Sequence, residues 1–132
     1  GKNIISSSDD QKVMLQNDEF FIRGGQSKLK GYYEKVNTAN IIYIKADSSY
    51  SYIYLEEDKK VHVSIPSNKI EKELENTDIV RVHKSYLVTR SKVVRLNKDC
   101  RQLTLCDGTL VPYSRDKAES IDDWFRIFYT KK

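Results

Sequence analysis

The chain has 132 residues, of which 39% are hydrophobic and 32% are charged, and it carries a formal net charge of +4. This length fits one globular domain with a core of its own. The sequence has neither an apolar run of about 18 residues nor a charged-then-apolar secretion leader, which excludes a membrane-spanning helix and predicts a cytoplasmic domain without membrane contact.

The first segment, residues 1–18, is polar and lacks a sustained hydrophobic period. We predict a linker or a cloning remnant there, and one domain over residues 19–132. Gly1 in the place of Met favours a trimmed chain that lacks an upstream domain. The first strand is predicted at residues 20–23, directly before the turn signal Gly24-Gly25.

The centre of the chain predicts three strands. Residues 41–44 are a continuous apolar run, which is typical of a strand buried on both faces, and the polar residues 47–49 follow as a loop. Residues 50–55 alternate, with three tyrosines on one face, and residues 61–65 alternate in a partner strand. We interpret the tyrosine row as a cross-strand packing ladder, with a platform that stacks single-stranded bases as the alternative.

Two helices are predicted from capping and spacing. Pro66 followed by Ser67 marks the start of a short amphipathic helix with Ser67 as its N-cap. Ser114 is predicted to cap a last helix, whose apolar stripe we interpret as core. Between them, Asp107-Gly108 is the strongest hairpin signal in the chain, and Pro112 predicts a sheet edge or a strand end.

Positive charge is concentrated between Arg81 and Arg101. This segment holds seven basic residues and the single acid Asp99, a net charge of +6, whereas the whole chain carries +4 and the remainder therefore −2. The basic residues are Arg81, Lys84, Arg90, Lys92, Arg95, Lys98 and Arg101. Localised charge is typical of proteins that track a nucleic-acid backbone, although a solvated strand face produces the same pattern.

The sequence offers no pattern for catalysis or metal binding. Cys100 and Cys106, with His62 and His83, lack the paired spacing of a zinc site, and we predict two reduced thiols. No phosphate-binding glycine loop and no nucleophile elbow occur. We therefore predict a protein that is not an enzyme, with no catalytic residue, metal or cofactor.

Four blocks in order resemble the LytTR-type DNA-binding domain of bacterial response regulators. They are Phe20-Phe21-Ile22-Arg23, Ile41-Ile42-Tyr43-Ile44-Lys45-Ala46-Asp47-Ser48-Ser49-Tyr50, Arg81-Val82-His83-Lys84-Ser85-Tyr86-Leu87-Val88 and Gly108-Thr109-Leu110-Val111-Pro112-Tyr113-Ser114-Arg115. The resemblance implies a mainly β, antiparallel, multi-sheet fold of about ten strands with one or two short helices. It also implies that loops, not a recognition helix, enter successive major grooves of DNA.

The resemblance implies a set of DNA contacts at matching positions. Base contacts fall on Lys84, Arg115, Ser49 and Asp47. Phosphate contacts are predicted for Ser85, Arg90, Lys92 and Ser114. An arginine such as Arg115 can offer two parallel donors to guanine O6 and N7, whereas a lysine serves either a base edge or a phosphate. We interpret His83 as an anchor of its loop and Arg81 as an ion-pair partner.

We predict sequence-specific binding of double-stranded DNA at repeated sites, as the output domain of a transcriptional regulator. The domain is expected to be a monomer alone and a dimer on DNA, controlled by an upstream receiver or sensor domain. The alternative is a basic β module that binds a protein partner, or single-stranded RNA through the tyrosine row.

Overall fold

A computed structural model describes the backbone of residues 14–16, 19–23 and 33–130, and the side chains of residues 35–125. Within these residues it contains eleven strands and two α-helices. The strands are β1 Met14–Gln16, β2 Glu19–Arg23, β3 Tyr33–Asn37, β4 Ile41–Asp47, β5 Tyr50–Leu55, β6 Lys59–Val63, β7 Ile79–His83, β8 Tyr86–Thr89, β9 Val93–Asn97, β10 Gln102–Leu105 and β11 Leu110–Pro112. The helices are α1 Ser67–Glu73 and α2 Ala118–Thr130.

All strand pairs are antiparallel, and they form three sheets. The central sheet has five strands in the order β6-β5-β4-β8-β7. Two three-stranded sheets accompany it, in the orders β1-β2-β3 and β11-β10-β9. The mainly β, antiparallel, multi-sheet fold predicted from the sequence is therefore confirmed.

The two faces of the central sheet belong to two different cores. Strand β4 serves both, because strand alternation turns Ile41 and Ile42 to opposite faces. A register shift between Ile41 and Tyr43 then places Ile44 in the same core as Ile41. Ile41 and Ile44 are fully buried against Ile70 and Leu74 of the α1 segment. Ile42 packs in the second core. The continuous apolar run thus forms a strand buried on both faces, as predicted.

The second core joins the central sheet to the β9-β10-β11 sheet and to α2. Its buried members are Ile42, Val82, Val88, Leu103, Leu105, Val111, Tyr113 and Ile121. Trp124 and Phe125 of α2 pack against it while half-buried. The apolar stripe of the last helix is therefore core over the turns whose side chains are described, which fixes the chain before α2 against the central sheet.

The hairpin predicted at Asp107-Gly108 connects β10 to β11. Gly108 adopts a φ of +90°, a left-handed conformation that favours glycine. Its N–H donates to the Leu105 carbonyl at 2.8 Å, and Asp107 Oδ1 accepts from the Thr109 N–H at 3.0 Å. Pro112 is the last residue of β11, at the edge of its sheet, as the missing N–H requires.

The short strand β1 lies within residues 1–18, which were predicted as linker, and it pairs with β2. One capping prediction differs from the structure. Ser67 is the first residue of α1 and not its N-cap; Pro66 holds that position without a side-chain cap. The predicted turn at Gly24-Gly25 lies outside the described residues.

None of the helices that the structure describes combines the length and the apolar character needed to cross a membrane. Both cysteines are free, as predicted, and both are exposed.

Candidate nucleic-acid interface

Two turns of the central sheet lie side by side at one end. Strands β4 and β5 are joined by residues 48–49, and β7 and β8 by residues 84–85. Because β4 pairs with β8, these turns are adjacent, and the Ala46 N–H donates to the Ser85 carbonyl at 2.8 Å. Ser48 has a φ of +57° in the tight β4–β5 turn. The turns carry the predicted residues Asp47, Ser49, Lys84 and Ser85.

The segment before α2 reaches the same end. The Ser114 N–H donates to the Val82 carbonyl of β7 at 2.9 Å, and its hydroxyl donates to the same carbonyl at 3.2 Å. Ser114 holds the predicted N-cap position, at the start of the turn that leads into α2, but its hydroxyl bonds Val82 and makes no cap hydrogen bond. A 3₁₀ turn, Arg115–Lys117, precedes α2 and begins beside β7. Arg115 is thereby brought to the end that carries Lys84, although the two residues are far apart in sequence.

We call this end of the central sheet the turn end, defined by residues 47–49, 84–85 and 114–115. The side chains of Asp47, Ser49, Lys84 and Arg115 are exposed there, whereas Ser85 and Ser114 are half-buried. Among the described residues, no hydrogen bond or ion pair engages the Lys84 ammonium or the Arg115 guanidinium. Both cations are therefore available to a ligand.

The Arg81 side chain anchors the β7–β8 turn through hydrogen bonds to its backbone. Arg81 Nη1 donates to the Lys84 carbonyl at 2.8 Å and to the His83 carbonyl at 3.3 Å. The same guanidinium bonds Glu71 Oε1 at 2.7 Å and Ser67 Oγ at 2.7 Å, which connects the turn to α1. The turn that presents Lys84 is thus fixed before any ligand arrives, which reduces the entropic cost of binding.

The His83 ring stabilises the β7–β8 turn through a hydrogen bond within it. Its Nδ1 accepts a hydrogen bond from the Ser85 N–H at 3.0 Å, and its ring lies 5.9 Å from the ring of Tyr86. The ring is half-buried. Its interpretation as a hydrogen-bonded anchor of the loop is confirmed.

Most of the concentrated positive charge is neutralised within the domain. Of the seven basic residues between 81 and 101, four form an ion pair with an acid. These pairs are Arg81 with Glu71, Arg90 with Asp78, Lys92 with Glu56 and Lys98 with Asp122. Within the described part of the chain, only Lys84, Arg95 and Arg101 of that set lack an acidic partner. The net +6 of the segment therefore overstates the charge that a polyanion would meet.

Arg90 and Lys92 are not brought to the turn end. They follow β8, whose first residue adjoins the β7–β8 turn, so they lie at the opposite end of that strand. Arg90 Nε lies 3.0 Å from Asp78 Oδ1, and the Lys92 side chain, 15% exposed, pairs with Glu56. Their predicted phosphate contacts thus concern a separate part of the surface.

Asp78 has a pKa below its ordinary value of 3.8. Burial acts to raise this pKa, but hydrogen bonds from the Ser91 hydroxyl and N–H and from Arg90 outweigh burial. A depressed folded-state pKa stabilises the fold above the unfolded value, and this stabilisation is lost as pH falls through the folded pKa. Asp78→Asn is therefore expected to lower the free energy of unfolding at pH 7, by an amount that shrinks as pH falls from about 5 to about 2.

Chemical denaturation of the parent and of Asp78→Asn across that pH range measures this difference. A difference that stays constant with pH would show that the carboxylate charge does not stabilise the fold.

Two tyrosines of the row, Tyr52 and Tyr54, stack on neighbouring rings, whereas Tyr50 is 45% exposed and tilted against His62. Tyr43 and Tyr54 lie face to face, with ring centroids 4.3 Å apart and planes 4° apart, and Tyr52 stacks on His62 at 4.7 Å. The Lys60 ammonium lies over the rings of Tyr52 and Tyr54 at 5.3 and 5.8 Å. Burial, followed by the neighbouring Tyr54, raises the pKa of Tyr43 to about 12. Ring faces that are covered by neighbours do not serve as a base-stacking platform, so the packing interpretation is favoured.

Comparison with known proteins decides the family. The model of the LytTr DNA-binding domain family matches residues 32–126, well over half of the chain. The chain belongs to the LytTR family of DNA-binding domains. The match includes the turn end and three of the four sequence blocks that carry the resemblance.

A solved LytTr DNA-binding domain, from a methyl-accepting/DNA response regulator of Bacillus cereus, resembles this LytTR domain. The TM-score is 0.62 with 20% sequence identity, over 74% of this chain and 92% of that chain. This likeness shows the shared fold. No curated protein matches the chain.

Sequence reasoning missed two residues that build the turn end. Val82 accepts both hydrogen bonds from Ser114, across 32 positions, through a backbone carbonyl that no side-chain pattern reveals. Ser67 was interpreted as a cap, yet its hydroxyl accepts from Arg81, 14 positions away. A Ser after Pro is an ordinary capping signal, so nothing local distinguishes the two roles.

Proposed function

We propose that this LytTR domain binds double-stranded DNA with sequence specificity, as the output domain of a transcriptional regulator of the response-regulator type. Its turns, rather than a helix, would enter successive major grooves. The observation that carries the proposal is the turn end, where the exposed cations Lys84 and Arg115 converge and have no hydrogen-bond or ion-pair partner among the described residues.

Each residue of the turn end suits a particular contact. The Arg115 fork matches the O6 and N7 acceptors of guanine, Asp47 can accept from the cytosine amino group, and Ser49 can serve either kind of base edge. Lys84 supplies a mobile point charge for a base or a phosphate. The half-buried Ser85 and Ser114 are proposed to set the register through phosphates.

We propose a structural role for Arg90 and Lys92 in place of the predicted phosphate contacts. Each already pairs with an acid, and each lies at the end of β8 that points away from the turn end. Breaking a partly buried pair to reach a phosphate would cost the attraction that it replaces.

We also propose that the domain is a monomer alone, that two copies occupy a repeated site, and that a receiver or sensor domain controls it. These proposals follow from the response-regulator setting of the family. Sedimentation of the domain with duplexes that carry one or two copies of its site tests the stoichiometry.

A salt titration tests the proposed binding to duplex DNA. Placing two to three cations against the duplex is expected to reduce the affinity roughly 10- to 40-fold between about 50 and 200 mM salt. An interface with a protein partner would respond far less. Competition by poly-U that displaces the duplex would instead favour the single-strand alternative, and an affinity that is flat in salt would contradict the proposal.

A further inference from the structure

The β9–β10 turn adds a fourth element to the turn end. The Tyr113 N–H donates to the Arg101 carbonyl at 3.1 Å, and the next N–H, that of Ser114, donates to Val82 at 2.9 Å. Arg101 is thus joined to the turn end by successive backbone hydrogen bonds through the segment that leads into Arg115. Neither the family resemblance nor the sequence pattern assigned a contact to this turn.

The Arg101 side chain is exposed and available to a ligand. Arg101 is exposed, and among the described residues its guanidinium has no hydrogen bond or ion pair. Lys98 of the same turn is engaged with Asp122 at 3.3 Å, so it does not compete for the same ligand. Three cations between 81 and 101 have no acidic partner in the part of the chain that the structure describes, and of these Lys84 and Arg101 adjoin the turn end.

Arg101 has a strained backbone conformation that suits a smaller residue better than an arginine. Its φ is +51°, in the left-handed region that glycine and asparagine adopt most easily. The preceding turn is already held without the arginine, because Asn97 Oδ1 accepts from the N–H groups of Asp99 and Cys100 at 3.0 and 3.3 Å. The arginine side chain is therefore not needed to hold this turn, and its guanidinium remains available to a ligand.

We propose that Arg101 binds a phosphate of the DNA backbone next to the base that Arg115 reads, and so fixes the register of that reading. This inference rests on the proposed duplex binding. An arginine suits the task because its planar fork can bond two phosphate oxygens. The contact adds affinity for every duplex and reads no sequence.

The test compares Arg101→Gly, Arg101→Lys and the matched control Arg95→Ala. Arg95 is an exposed arginine of β9 without an internal partner among the described residues, and it pairs with Thr104 away from the turn. Arg101→Gly is expected to lower the affinity for all duplexes about tenfold at roughly 0.1 M salt and to reduce the salt slope by about 0.9. Arg101→Lys should retain most of the affinity, and Arg95→Ala should match the parent.

Thermal unfolding separates a binding role from a structural one. Glycine relieves the positive φ, so Arg101→Gly should keep or raise the midpoint while its affinity falls. An unchanged affinity and salt slope for Arg101→Gly would overturn the inference, and if Lys84→Ala still lost binding, the proposed function would stand. A parent domain that binds no duplex would overturn both.

Discussion

Arg115→Ala is expected to reduce the preference for the best duplex over one with a changed guanine by about 5- to 150-fold, the equivalent of about 1 to 3 kcal/mol. The physical reason is that the guanine edge in the major groove loses two parallel hydrogen-bond donors. The thermal midpoint should change little, because the exposed guanidinium contacts no described residue through a hydrogen bond or ion pair. Duplexes selected from a random pool supply the reference sequence, and competition binding measures the preference.

Arg115→Lys is the matched control for charge. Lysine keeps the positive charge but not the fork that pairs with one base edge. We expect Arg115→Lys to retain most of the overall affinity while it loses most of the preference. An alanine variant with the parent's preference among duplexes would remove Arg115 from the set of base-reading residues.

Arg81→Ala is expected to impair both the fold and DNA binding. The guanidinium joins Glu71, Ser67 and the carbonyl groups of the β7–β8 turn, and its side chain is only 17% exposed. Loss of these charge-assisted hydrogen bonds should lower the free energy of unfolding by about 2 to 3 kcal/mol. Binding would then have to order the turn, at about 1 to 2 kcal/mol per residue, which corresponds to an affinity loss of roughly tenfold or more.

Arg90→Ala is a suitable control for Arg81→Ala. Arg90 also pairs with an acid, but its side chain is 49% exposed and lies away from the turn end. Exposed pairs are worth up to about 1 kcal/mol, so this variant should be mildly destabilised and should bind DNA like the parent. Affinities measured well below both unfolding midpoints separate binding from stability. If Arg81→Ala bound DNA normally there, the turn would not need its anchor.

The fold was predictable because its signals are local. The apolar run that became β4, the alternation of β5 and the Asp107-Gly108 hairpin each report on a few neighbouring residues, and all were confirmed. The side-chain caps predicted at Ser67 and Ser114 do not form, for the converse reason. Each hydroxyl bonds a group on β7, at Arg81 and Val82, and tertiary partners of this kind leave no mark in the local sequence.

The candidate site was predictable only in part. Charge alone left a nucleic-acid surface and a solvated strand face unresolved, and the choice of Lys84 and Arg115 came from the family resemblance. The sequence does not show which cations lack an acidic partner and so remain available to a ligand. Arg81 pairs with Glu71 across 10 positions and Lys92 pairs with Glu56 across 36, so the +6 segment contains far less free charge than its composition indicates.

The most direct test of the account is a map of amide chemical-shift changes as the domain is titrated with its selected duplex. The account predicts the largest changes at residues 47–49, 84–85 and 114–115, with small changes along the tyrosine row of β5. Large changes along that row or at the Thr89 end of β8, with the turn end unaffected, would contradict the claim that strand-end side chains contact the DNA.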